Sequence, residues 1–207
     1  MEKNLNTNKK RRKYFLKIFL KALKNGDIKK LKELLALKID VNIKDEYGYT
    51  PLMYASDLGH TEIVRELINK GANVNDQSNF DVTALILASF NGYTEIVREL
   101  IKNGADVNIK NKEGYTALIC ASRCGGHTEI VRELIKVGAY LDFQDKEYGF
   151  TALMFAAKNG YTEVVKELIQ SGANLNIKNV YGKTALDYAK EKGHNDIIEL
   201  LSKKDVK

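Results

Sequence analysis

Five threonines divide this chain into nearly equal parts. Thr50, Thr83, Thr116, Thr151 and Thr184 each begin a Thr-Pro/Ala-Leu segment, at intervals of 33, 33, 35 and 33 residues. No other feature constrains the fold as much, because a fixed period of that length is the signature of one small unit stacked on copies of itself. Each copy is too small to bury its own apolar face, so its neighbours must cover it.

Within a period the pattern predicts two helices. Thr50 to Leu58 reads as the first: Thr50 can cap it, Pro51 suits the first helical position, and Leu52, Ala55 and Ser56 give an apolar, small face. Gly59 stops it. A second helix from about Thr61 repeats Ile63, Val64, Leu67 and Ile68 with helical spacing, leaves Glu62, Arg65 and Glu66 to water, and ends at Gly71 in a left-handed cap. Fourteen of the fifteen glycines fall between helices, after second helices or in the turn before the next unit, and only Gly125 is left over. They punctuate the backbone and do not form a phosphate cradle. Asp81 replaces the turn glycine in one unit, and Asp is among the few residues tolerated there.

The stretch DEYGYTPLMYASDLGHTEIVRELINKGANVN, with its Gly-x-Thr-Pro/Ala-Leu opening and Gly-Ala-Asn-Val-Asn ending, resembles an ankyrin repeat. The resemblance implies an all-α fold: an ankyrin-repeat solenoid of six stacked helix-turn-helix units with protruding β-turns, the first helices lining a concave side. The expected organisation is a basic arm over 1–13, a repeat domain over 14–204 and a tail over 205–207. The units fall at 14–44 (N-terminal cap), 45–77, 78–110, 111–144, 145–178 and 179–204 (C-terminal cap). The first unit lacks the turn and has Lys38 where the others have glycine. The family's usual histidine after Thr-Pro-Leu is replaced by Met53, Ile86, Ile119, Met154 and Asp187, which puts its hydrogen bonding between turns in doubt. Single-residue insertions at Gly125-Gly126 and within Asp145 to Gly149 are read either as bending the surface for a partner or as neutral loop growth.

Charge separates the ends of the chain. Residues 1–30 hold eleven Lys or Arg against Glu2 and Asp27, so of the net +6 a surplus of +9 sits there and the remainder carries −3. A mildly acidic repeat body argues against nucleic acid as its partner. Lys-Lys-Arg-Arg-Lys at 9–13 has two readings, a solvated tail or a patch for acidic partners, anionic lipid or nucleic acid. Phe15, Ile18, Phe19, Ala22 and Leu23 form the apolar face of an amphipathic helix, expected to cover one end of the stack; a membrane surface is the alternative. No run approaches the ~18 apolar residues of a membrane span, so a cytoplasmic location is expected.

Catalytic constellations are not found in this pattern. His60, His127 and His194 share one repeat position, too far apart to join in a site. Cys120 and Cys124, expected on one face of one helix, together with His127 would supply three zinc ligands without a convincing fourth, and are read as free thiols. The expectation is a non-enzymatic, monomeric protein-interaction module with no cofactor and no metal, its protein partner unidentified. The partner is expected to cover the turns and concave face: Tyr47, Tyr49, Asp57, Leu58, Phe80, Val82, Phe90, Asn91, Tyr115, Arg123, Tyr148, Phe150, Lys158, Asn159 and Tyr181. Aromatics near water make good anchors; the competing reading is that these rings only pack against one another and stiffen the turns. The alternative function is an adaptor to nucleic acid or an anionic membrane surface through the basic arm.

Overall fold

The computed structural model describes residues 14–37 and 40–203. The basic arm 1–13, Lys38 and the tail 205–207, and the expectations placed on them, lie outside the described residues. Every regular element among the described residues is helical, and none is a strand. The chain divides into two compact units, the first running to Ala88 and taking in Glu95–Ala105, the second comprising Ser89–Thr94 and the chain from Asp106 onward. No helix among the described residues is long and apolar enough to cross a membrane.

The first unit opens with α1, described over 14–24, followed by α2 (Ile28–Ala36), α3 (Pro51–Asp57) and α4 (Thr61–Asn69). It also holds the start of α5 (Ala84–Asn91) and most of α6 (Thr94–Lys102). The amphipathic stretch buries as its spacing predicts: Phe15, Phe19, Ala22 and Leu23 are inside, joined by Leu16, while Lys17, Lys21 and Lys24 are in water. The α3 start follows from its local chemistry, since Thr50 Oγ1 accepts the amide of Met53 and Pro51 occupies the first helical position. At the end of α4, Gly71 takes φ +85° and the Ala72 amide reaches back to the Leu67 carbonyl at 2.9 Å, a capping geometry that L-residues rarely adopt. Asp81 does adopt left-handed backbone, at φ +57°.

The second unit contains α7 (Ala117–Arg123), α8 (Thr128–Lys136), α9 (Ala152–Asn159), α10 (Thr162–Gln170), α11 (Ala185–Lys192) and α12 (Asn195–Ser202). First helices α7, α9 and α11 pack side by side, second helices α8, α10 and α12 form a layer behind them, and the core lies between the layers. Ile130, Val131, Leu134, Val164, Val165 and Leu168 from the second helices are fully buried there. The residues standing in the family's histidine position, Met53, Ile86, Ile119 and Met154, are at most 4% exposed and bury apolar surface instead. Only Asp187 keeps polar chemistry, forming a reciprocal capping box with Thr184.

Both insertions are absorbed locally. Gly125 and Gly126 take φ +81° and +59°, and the amide of His127 still closes the joint on the Ala121 carbonyl at 3.1 Å. The longer turn closes between the Asp145 amide and the Phe150 carbonyl at 2.9 Å, where the shorter turns close over one residue fewer. Cys124 does not share a helix face with Cys120, contrary to expectation: it is the residue after α7, with extended backbone. Neither thiol is in a disulfide, and burial pushes the Cys120 thiol up to about 12.

Candidate partner-binding surface

Each turn is organised by a single polar side chain five or six residues before the capping threonine. Asp45 Oδ1 accepts the amides of Tyr47 and Tyr49 at 2.9 and 2.8 Å, and Ser78 Oγ those of Phe80 and Val82 at 3.2 Å each. In the second unit Asn111 holds the amide of Tyr115, Asp145 those of residues 147–150, and Asn179 those of Tyr181 and Lys183. Satisfying the turn amides internally leaves the side chains free to be set by register. Successive turns are then linked along the backbone: Asn79 to the Tyr47 carbonyl at 2.9 Å in the first unit, Lys146 to Glu113 at 2.8 Å and Val180 to Tyr148 at 3.0 Å in the second.

Register separates the predicted aromatics into two classes. Three residues before the threonine, Tyr47 is 55% exposed, Phe80 47%, Tyr148 39% and Tyr181 61%. Tyr148 and Tyr181 stack on one another at 6.1 Å while both stay in contact with water. One residue before the threonine, the side chain turns inward. Tyr49 is half-buried against Tyr54, Val82 and Tyr115 are half-buried, and Phe150 is buried at 4% exposure. Phe150 is therefore not a surface anchor, a correction to the expected set: its ring lies 4.9 Å from Phe155 and 4.8 Å from Tyr188, inside a cluster the sequence reading missed. The signal was available, since Tyr54, Phe155 and Tyr188 all stand four residues after a capping threonine. Tyr54 also donates to Asp45 Oδ2 at 2.6 Å; burial first, and that hydrogen bond second, hold its phenol well above the ordinary tyrosine range.

The predicted first-helix ends sit beside these turns. In the first unit Leu58 is exposed and Asp57 half-buried; in the second, Phe90, Arg123 and Asn159 are exposed, with Asn91 and Lys158 half-buried. The Arg123 guanidinium lies over the rings of Tyr115 and Phe155 at 5.0 and 5.5 Å, and the Lys158 ammonium over Phe150 and Tyr188 at 5.0 and 5.6 Å. Asn159 Nδ2 donates to the Arg123 carbonyl at 3.0 Å, tying the ends of α7 and α9 together.

The histidines serve the joints between helices. His60 Nε2 lies 2.9 Å from the Leu23 carbonyl, and His194 Nε2 3.3 Å from that of Lys158. The His127 ring rests on Gly92, where an added Cβ would come within 2.4 Å of Cε1. A second polar series joins loops: Asn42 Nδ2 donates to the Gly71 carbonyl and Asn42 Oδ1 accepts from Asn73, a pattern Asn108 repeats with Gly138 and Tyr140. The faces of the second helices are different in kind. They carry half-exposed ion pairs, Arg65 to Glu99 at 3.1 Å in the first unit and Arg132 to Glu167 at 2.7 Å in the second, which solvent screens.

Comparison with known proteins agrees with this architecture. A family model described as ankyrin repeats, in three copies, matches residues 3–78, 75–145 and 126–207. Among curated proteins, the mouse ankyrin repeat, SAM and basic leucine zipper domain-containing protein 1 is 51% identical over 47 residues, 23% of this chain and 10% of that protein. Its counterpart from Loxodonta africana is 50% identical over 48 residues, again 23% and 10%. The aligned part thus spans about a tenth of the length of these relatives. Matched from residue 3 to residue 207 and built of capped helix pairs at the matching period, the chain belongs to the ankyrin repeat family, whose repeats generally mediate protein–protein interaction.

Proposed function

We propose that the chain is a non-enzymatic interaction module that holds a protein partner on its turns and first-helix ends, the side that is concave in the family. The observation that carries this reading is the outward ring series at one turn register. Tyr47 and Phe80 in the first unit and Tyr148 and Tyr181 in the second keep between 39% and 61% of their surface in water on backbones fixed by internal hydrogen bonds. A rigid, amphipathic ring loses little conformational entropy when covered, so it suits an anchor. Leu58, Phe90 and Arg123 supply the flanking contacts, and Tyr49, Tyr115 and Phe150 support them from the inward register.

The test is quantitative binding of the partner retained by the chain in affinity purification from its native source. Tyr148→Ala with Tyr181→Ala should weaken that partner by about tenfold or more while leaving the thermal midpoint within a few degrees. Arg132→Ala on a second helix should leave affinity within about twofold, as a rim charge does. Binding that survives loss of the tyrosines but disappears with Arg132 would place the partner on the second helices and sink the assignment.

A further inference from the structure

In the second unit the cations are sorted by face. The turn and first-helix segments 110–123, 145–159 and 178–192 hold nine Lys or Arg against five Asp or Glu, whereas α8, α10 and α12 hold three against six. Several of the acids on the basic side are already engaged: Asp145 is buried under four amides, Asp187 is in its capping box, and Glu191 pairs with Lys183 at 2.5 Å. Arg123 and Lys158 have no carboxylate oxygen within 4.0 Å among the described residues. Their heads are oriented by rings, which attract a cation without neutralising it. Both therefore keep full charge toward solvent in a preset geometry.

We propose that Arg123 and Lys158 form a two-point clamp for an acidic, extended segment of a protein partner, with its two engaged carboxylates three residues apart. The proposal rests on the interaction-module reading above. Its spacing follows from register: both residues stand seven positions after a capping threonine on the packed neighbours α7 and α9, hence roughly 8–10 Å apart. A polyproline-II segment presents the same face every third residue, at about 9 Å. Charge complementarity selects carboxylates, and of the four rings beneath the cations Phe150, Phe155 and Tyr188 are 4%, 9% and 6% exposed, which leaves only the half-buried Tyr115 for a base to stack on.

A display library of short random peptides, selected on the full chain, tests this, with the affinity of the resulting consensus peptide read by fluorescence anisotropy. The expected consensus has Asp or Glu at i and i+3, and its binding weakens as salt rises. Arg123→Gln with Lys158→Gln should weaken it about tenfold, the charge-keeping Arg123→Lys with Lys158→Arg should weaken it less than the double Gln variant, and Arg132→Gln should change nothing. Far-UV circular dichroism of each variant separates lost recognition from lost fold. Binders without an acidic pair, lost with Tyr148→Ala and Tyr181→Ala but not with the double Gln variant, overturn the clamp and leave the interaction reading standing. A polythymidine oligonucleotide bound more tightly than the consensus, with the same sensitivity to the double Gln variant, assigns the pair to phosphates and also overturns it. A selection that yields no binder overturns the clamp, and the interaction reading is then decided by the partner retained in affinity purification.

Discussion

Ser122 is the residue whose replacement should most clearly improve this protein. Ser56, Ser89 and Ser122 hold the same position in three repeats, each is 0% exposed, and each Oγ is without a hydrogen-bond partner among the described residues. A buried polar atom left unsatisfied costs about 1–3 kcal/mol relative to its hydrated state. The fifth repeat has Ala157 at this position, also 0% exposed, so the site accepts the methyl side chain without rearrangement. Removing Oγ forfeits a handful of dispersion contacts at ~0.1–0.2 kcal/mol each. Ser122→Ala should therefore gain about 0.5–2 kcal/mol. For a chain of this size that is a rise of roughly 1–8 °C in thermal midpoint, at ~2–4 °C per kcal/mol. Urea denaturation followed by circular dichroism, with the midpoint read at unchanged slope, gives the free energy directly. A loss of about 0.5 kcal/mol or more on Ser122→Ala would refute the reasoning, because it would mean that the hydroxyl has a partner worth more than its desolvation.

Gly92→Ala should cost about 2 kcal/mol or more, since φ is +80° and the new Cβ meets the His127 ring; His127→Ala in the same chain should recover part of that, read as a coupling energy in a double-mutant cycle. Asp187 is held below the ordinary carboxylate range, first by the Thr184 amide and then by the Thr184 hydroxyl. Its stabilisation is accordingly complete above the unfolded value of about 3.9 and lost as pH falls through the lower folded value. Asp187→Asn should thus be destabilising at neutral pH and converge on the parent chain in acid denaturation series.

The helix boundaries were legible because they are written locally: a threonine whose hydroxyl caps, a proline at the first turn, a glycine at the end. The outward and inward aromatics were not separated, although the information was present. Tyr148 and Phe150 flank one glycine and look equivalent by composition; only counting back from Thr151 shows that one points out and the other under the helix ends. The role of Asp45, Ser78, Asn111, Asp145 and Asn179 was missed because an acceptor for turn amides has no hydrophobic period to reveal it. Cys124 was misplaced because α7 ends at Arg123, so the residue four after Cys120 is already outside the helix with extended backbone.

The loop asparagines also set how this protein should age. Asn42 and Asn108 each use both halves of the side-chain amide, the NH2 donating to one carbonyl and the oxygen accepting from another amide. At the corresponding position Asp142 has only oxygens and, among the described residues, makes the second contact alone, from the Asn174 amide at 3.0 Å. Asparagine is thermolabile, and hydrolysis of the Asn108 amide to a carboxylate would convert its joint into the kind already present at Asp142. The Gly138 carbonyl would lose its donor while the Tyr140 amide kept its acceptor. Chemical damage there would slacken one loop contact at a time, and the helices on either side would keep their caps.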